Sequence, residues 1–203
     1  MARLKLGVLI SGRGSNLQAL IDACAAPAYP AEIALVISNE TAAAGLARAA
    51  RAGIPSRIIS HRDHAGRAEF EQALDAALRD AGVELVCLAG FMRVLGPDFV
   101  ARWRDRLINI HPSLLPAFPG LDTHRRALEA GATVAGCTVH FVRAKVDAGP
   151  IIRQAEVQVR AGDTEHDLAA RVLEAEHRLY PEAVRLIAEG RIHVVNEKVA
   201  SRD

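Results

Sequence analysis

No sign of charge dominates this chain. Its 25 lysines and arginines stand against 24 aspartates and glutamates, a formal net charge of +1. There is no global field to gather nucleic acid or an anionic membrane, and neither is expected as a partner. No apolar run approaches the roughly 20 residues needed to span a bilayer. The opening residues, Met1-Ala2-Arg3-Leu4-Lys5-Leu6, set a charge on each side of Leu4 and carry no cleavage-site pattern. They read as the approach to a first strand, not as a signal peptide. Cysteine is scarce. Cys24, Cys87 and Cys137 are odd in number, scattered and set among apolar neighbours. Buried free thiols in a reducing compartment account for them better than disulfides or zinc, and a cytoplasmic location is expected. Internal repeats, linkers and low-complexity tracts are missing too. What remains, 203 residues with 50% hydrophobic and 24% charged, suits a globular domain with a sizeable core.

The pattern along the chain alternates strand and helix. Residues 6–10 are a short apolar run. After them Leu17, Leu20, Ile21 and Cys24 fall at helical spacing. Residues 33–38 and 54–59 read as strands, 42–52 as an alanine-rich helix ended by Gly53, and Arg67 begins or precedes another helix. The continuous apolar run 85–90 suits a central parallel strand. Further on, 123–129 reads as a short helix, 138–142 and 151–159 as strands, and 191–195 as a final strand. Asp163-Thr164-Glu165-His166-Asp167 is a good helix start. That helix is expected to break or kink at Pro181, and the polar residues 197–203 to be loose. The two histidines of His61-Arg62-Asp63-His64 lack a further ligand cluster nearby, so the segment reads as a solvated loop and no metal is expected. Together this predicts an α/β protein: a Rossmann-like, mostly parallel twisted sheet with helices on both faces and an antiparallel or mixed C-terminal portion.

The densest chemistry lies in Leu107-Ile108-Asn109-Ile110-His111-Pro112-Ser113-Leu114-Leu115-Pro116. Strand alternation sets Leu107, Asn109 and His111 on one side and Ile108 and Ile110 on the other. An amide and an imidazole thus emerge together near the carboxyl end of a buried strand, the edge where open α/β sheets bind ligands. An amide N–H can stabilise an oxyanion, and an imidazole can move protons near neutral pH. A strand end whose polar residues merely bond the next loop is the alternative. The proline-rich residues 112–120 form a stiff wall, and their X-Pro bonds permit a cis peptide.

Four other stretches bear on a site, each with a plainer alternative. Ser11-Gly12-Arg13-Gly14-Ser15-Asn16 between strand and helix is the layout that aims backbone N–H groups at an anion. It lacks the Gly-Lys-Ser/Thr of a P-loop and the third glycine of the dinucleotide fingerprint, so a phosphate monoester fits better than a dinucleotide; a plain tight turn is as good a reading. Phe91-Met92-Arg93-Val94-Leu95 follows a strand end, where it can receive a flat ring or simply cover the sheet. Asp147 sits in a loop between two strands. There it can bring a carboxylate to an imidazole and favour its cationic form, or it can serve turn chemistry. Glu176 falls inside an apolar helix face between Val172 and Leu179, a costly place for a carboxylate without a partner. It can hold a polar ligand or make an internal hydrogen bond.

Taken in order, Ile10-Ser11-Gly12-Arg13-Gly14-Ser15-Asn16-Leu17, Leu88-Ala89-Gly90-Phe91-Met92-Arg93, Asn109-Ile110-His111-Pro112-Ser113-Leu114-Leu115-Pro116 and Asp147-Ala148-Gly149-Pro150 resemble the phosphoribosylglycinamide formyltransferases of purine biosynthesis. The resemblance runs over nearly the whole chain. The Asn-x-His-Pro segment is shared with the wider group that uses formyl-tetrahydrofolate, including methionyl-tRNA formyltransferase and formyltetrahydrofolate deformylase. The Gly14-Ser15-Asn16 loop, and the lack of an added tRNA or regulatory domain, favour the purine family. The resemblance implies a single formyltransferase domain, with a phosphate-binding half over about 1–105 and a catalytic, folate-binding half over about 106–203. It implies 10-formyltetrahydrofolate as cosubstrate and no metal. Asn109, His111 and Asp147 match the family's catalytic trio. Gly14, Ser15 and Asn16 would hold the substrate phosphate, and Glu176 its ribose. Arg67 would meet the acidic tail of the folate. Met92, Arg93, Val94 and Leu95, with Arg143, Ala144, Lys145, Val146, Asn109 and Asp147, would line the pterin pocket. Asp122 departs from the pattern, since some relatives carry histidine there. A monomer or homodimer acting on small molecules is expected. The rivals are a formyltetrahydrofolate hydrolase and a non-catalytic nucleotide-binding module.

Overall fold

In the computed structural model, which describes residues 2–202, five parallel strands and two added by antiparallel pairing make a single seven-stranded sheet. In chain order the strands are β1 (Leu4–Ile10), β2 (Ala31–Ser38), β3 (Ser56–Ile58), β4 (Leu85–Leu88), β5 (Leu107–His111), β6 (Val134–Phe141) and β7 (Ile151–Gln158). Their order across the sheet is β3-β2-β1-β4-β5-β6-β7. The chain winds outward from β1 to β3, then returns to lay β4 on the other side of β1. Loops leaving the carboxyl ends of β1 and β4 diverge at that switch and open a crevice. β6 pairs antiparallel with β5, and β7 antiparallel with β6, so β6 alone of the seven runs against the others.

Side-chain alternation divides the core in two. Leu6, Val8 and Ile10 of β1, with Ile108 and Ile110 of β5, belong to one apolar cluster. It is covered by α1 (Ser15–Ala25), α2 (Ala44–Arg51), α5 (Thr123–Glu129) and the long α6 (Glu165–Ala188). Leu9, Val86, Leu88 and Leu107 point the other way, beneath α3 (Arg67–Asp80) and α4 (Pro97–Arg102). Helices on both faces follow from a parallel sheet whose crossovers must return over it. Asn109 and His111 share the parity of Leu107, as the alternation predicts. Among the described residues no helix is long and apolar enough to cross a membrane.

The structure corrects several expectations. α6 does not break at Pro181: the helix runs unbroken from Glu165 to Ala188. Proline removes one intrahelical donor, but buried residues on both sides, Leu179 and Tyr180 before it and Ala183 and Val184 after it, hold the two halves to the same core. Residues 198–201 are not loose: β8 (Ile192–Val195) and β9 (Lys198–Ser201) form a hairpin. Asp203 and Met1 lie outside the described residues. The strand expected at 138–142 starts four residues earlier, at Val134, and α4 had no sequence signal strong enough to register. At the start of α6, Thr164 Oγ1 accepts from Asp167 N and Asp167 Oδ2 accepts from Thr164 N, a reciprocal cap. One X-Pro bond of the proline-rich loop, Leu115–Pro116, is cis.

α6 is also tied to the sheet by a buried hydroxyl. Tyr180 Oη donates to Leu88 O at 2.9 Å, with Ile108 O at 3.4 Å. Tyr180→Phe leaves these two carbonyls without that donor. The expected outcome is a loss of about 1–3 kcal/mol in urea unfolding. A variant as stable as the parent would show that the hydroxyl adds nothing.

Candidate active site

β5 delivers Asn109 and His111 to the end of the sheet, and two loops close on them. His111 Nε2 donates to the Phe118 carbonyl at 3.0 Å. A carbonyl can only accept, so Nε2 carries hydrogen and Nδ1 is the nitrogen left to exchange protons. Asp147 Oδ2 lies 3.5 Å from that Nδ1, with the two side chains only 7% and 9% exposed. Both ring nitrogens can donate at once only in the imidazolium, whose Nδ1–H would face the Asp147 carboxylate. Asp147 is itself held: Oδ2 accepts from Gly120 N at 2.8 Å, and its backbone adopts φ 52°. The proline-rich loop is anchored through Thr138, whose hydroxyl donates to Ser113 O and accepts from Leu115 N.

His140, on the neighbouring strand, completes the floor. Register places it opposite Asn109. Its Nδ1 donates to Phe141 O at 2.9 Å, and burial holds its pKa below the usual histidine value. The neutral ring therefore turns the Nε2 lone pair inward. Asn109 Nδ2 donates to it at 3.4 Å, and Asp147 Oδ1 lies 3.7 Å away. This fixes the amide with its N–H end at His140 and one N–H remaining for a ligand. His140 carries no motif of its own in the sequence. The alternation of residues 138–142 could have flagged it, but only the strand register brings it to Asn109.

Asn109, His111 and Asp147 line a cavity of about 560 Å³. Met92, Arg93, Val94 and Leu95 form one wall of it; Arg143, Ala144 and Val146 form part of another. Met92, Val94 and Val146 are exposed apolar side chains at its rim. Lys145, expected among the lining residues, is exposed and does not line the cavity. The guanidinium of Arg143 is committed elsewhere, to Glu197 and Asp105. Arg67 lines a smaller neighbouring cavity of about 150 Å³ that shares Arg93 and Val94 with the first. Asp122 lines the main cavity, and its carboxylate accepts from Arg125 at 2.6 Å.

Gly14, Ser15, Asn16 and Glu176 do not line that cavity and form a separate group beyond β1. Gly14 has φ 70°, and a Cβ there would come within 2.6 Å of Gly45 Cα. Gly45 N donates to Gly12 O, and Arg48 Nε donates to Arg13 O. These contacts press the loop onto α2. Among the described residues no side chain caps α1, so its first-turn N–H groups remain open to an anion. Asn16 Nδ2 donates to Glu176 Oε2 at 2.7 Å, while buried Asn16 Oδ1 has no partner among the described residues. Ser11, at the start of the glycine loop, ties that loop to the Met92 wall: its hydroxyl accepts from Met92 N and donates to Asn39 Oδ1.

Burial raises the Glu176 carboxyl to about 7, against the lesser opposing effect of its bond from Asn16. The native state thus favours the protonated form. The stability this provides is complete below about pH 4.5 and lost as pH rises through about 7. Glu176→Gln cannot titrate. Between pH 4.5 and 8 the parent is expected to lose about 3 kcal/mol relative to this variant in urea unfolding. A difference that does not change with pH would refute the assignment.

The geometry has clear counterparts. The formyl transferase family profile matches residues 4–184. Phosphoribosylglycinamide formyltransferase of Escherichia coli (strain K12) is 46% identical over 189 residues, which cover 93% of this chain and 89% of that protein. The trifunctional purine biosynthetic protein adenosine-3 of Gallus gallus is 52% identical over 192 residues, 95% of this chain. The chain spans only 14–19% of the length of the trifunctional relatives it matches. Among solved structures, glycinamide ribonucleotide transformylase 1 from Symbiobacterium toebii superposes with a TM-score of 0.96 at 51% identity, covering 99% of this chain and 95% of that one. The chain belongs to the formyl transferase family, among its phosphoribosylglycinamide formyltransferases.

Proposed function

We propose that this chain transfers a formyl group from 10-formyltetrahydrofolate to the amine of N1-(5-phospho-β-D-ribosyl)glycinamide, giving the N-formyl product and tetrahydrofolate in de novo purine biosynthesis. The observation that carries the reading is the Asp147 carboxylate beside the one His111 nitrogen left free by the Phe118 carbonyl. A cytoplasmic enzyme acting on small molecules, without a metal, is the matching setting. The single domain divides its labour. The loop after β1 holds phosphate, and the half from about residue 106 supplies the catalytic groups.

The residues present suit the folate. The cavity has apolar side chains at its rim and polar groups on its floor, as a flat ring system with one reactive end requires. When bound, the folate supplies a formyl group on a nitrogen whose leaving is eased by its aryl ring. Asn109 and His111 then face the formyl carbon. As the substrate amine forms its bond to that carbon, the carbonyl π pair moves onto oxygen. Asn109 Nδ2–H and the His111 imidazolium donate to the resulting oxyanion. Asp147, directly or through a water, takes the proton from the attacking nitrogen and returns one to the leaving nitrogen. The old C–N bond breaks with its pair on that nitrogen, and the carbonyl re-forms. No proton or electron is lost overall.

The remaining assignments follow the same reading. Gly14, Ser15 and Asn16 bind the phosphate through open N–H groups and a hydroxyl. Glu176 bonds the ribose, and Asn16 Oδ1 is free to accept from a sugar hydroxyl. Arg67 meets the acidic tail of the folate beside Arg93. Arg143 contributes its aliphatic stem, since its guanidinium is engaged.

His111→Ala and Asp147→Asn are each expected to lower kcat by about 100- to 1,000-fold while KM changes little, as measured by tetrahydrofolate formation. Losses confined to KM would refute the catalytic roles. Formyl release that proceeds equally well without the phosphoribosyl amine would identify a hydrolase instead. Absence of both turnover and folate binding would leave a binding module.

A further inference from the structure

The C-terminal hairpin reaches the catalytic loop through one arginine. The turn between β8 and β9 is two residues long, Asn196 and Glu197, with φ of 49° and 58°. Such a turn favours glycine in its second place, because both residues are left-handed and glycine has no Cβ to crowd the backbone. This chain has a glutamate there, in a strained conformation. Strain of this kind persists where surrounding contacts hold it.

The contacts are carboxylate bonds. Glu197 Oε2 accepts from Arg143 Nε at 2.6 Å, and Oε1 accepts from Arg104 Nη2. Arg143 Nη2 donates to Asp105 Oδ1 at 2.6 Å, and Nη1 donates to Val142 O at 3.1 Å. All three guanidinium nitrogens are thus used, and the side chain is only 12% exposed. Asp105, like Glu197, sits on left-handed backbone, with φ 57°. Two strained acidic residues from distant parts of the chain therefore converge on one cation.

That cation stands at the start of the loop carrying Asp147. At the far end, Gly149 lies flat against β6, where a Cβ would fall 1.7 Å from Phe141 O. Between these anchors Ala144, Lys145 and Val146 are exposed, so little else secures the near arm. We propose that Glu197 is a positioning residue for the reaction: by holding Arg143, it fixes the near arm of the 143–148 loop and keeps Asp147 opposite His111. The catalytic part of this inference rests on the role proposed above for Asp147; the mechanical part does not.

Glu197→Gly separates positioning from stability, because Asn-Gly is the preferred pair for this turn. The variant is expected to melt no lower than the parent. Amide exchange over residues 144–148 should rise, and kcat should fall by on the order of 10-fold with KM for both substrates unchanged. Arg143→Met should reproduce the faster exchange and lower kcat, and the double variant should be no worse than Arg143→Met alone. Unchanged loop exchange in Glu197→Gly overturns the proposal, whatever happens to kcat. So does a lower melting temperature with exchange raised throughout the molecule, or additive effects in the double variant. A parent enzyme without transferase activity would sink the proposed reaction, and the exchange data would still decide whether Glu197 holds the loop.

Discussion

The bond from His111 Nε2 to the Phe118 carbonyl constrains the rest of the site. Once one ring nitrogen is committed to a backbone acceptor, the tautomer and the orientation of the ring are settled, and chemistry is left to Nδ1. The bond requires the proline-rich loop to fold back over β5, which the Thr138 hydroxyl secures at Ser113 and Leu115. The same loop offers Gly120 N to Asp147. Loop, imidazole and carboxylate therefore hold one another.

The sheet explains why polar groups can gather here at all. Its interior strands are apolar on both faces, and polar side chains appear where the strands end. β5 is the last parallel strand and pairs with antiparallel β6. Its end therefore faces a strand running the other way, and His140 arrives from that strand to orient Asn109. At the switch between β1 and β4 the loops part, giving one subsite over the glycine loop and another beside Met92. The Ser11 hydroxyl bonds the start of the glycine loop to Met92. A deep carboxylate such as Glu176 is tolerated because it gains a bond from Asn16 and because burial favours its neutral form.

Charge at the periphery has a different character. Arg143 lies at the edge of the main cavity, yet its donors turn toward Asp105 and Glu197. It joins the C-terminal hairpin to the loop that bears Asp147. Proximity to a ligand cavity does not make a cation a ligand contact; the direction of its hydrogen bonds decides.

Local rules alone determined much of this protein. Short apolar runs located the parallel strands and helical spacing located α1 and α3, because each depends on neighbours within one turn or one strand. Parity along Leu107–His111 set the amide and imidazole on a common face, and Glu176 stood out as a carboxylate on an apolar helix face. The family motifs ran in order along the chain. Only the tertiary structure decided the rest. The pairing of Asn109 with His140 depends on the register of two strands, and the tautomer of His111 on a carbonyl seven residues away in a folded-back loop. The continuity of α6 through Pro181 depends on buried residues holding both of its halves to one core. The role of Arg143 rests on the turn of a hairpin whose first strand was legible but whose second strand local polarity made look like a loose tail. These are long-range contacts, and a residue's immediate neighbours do not reveal where a distant partner will bond to it.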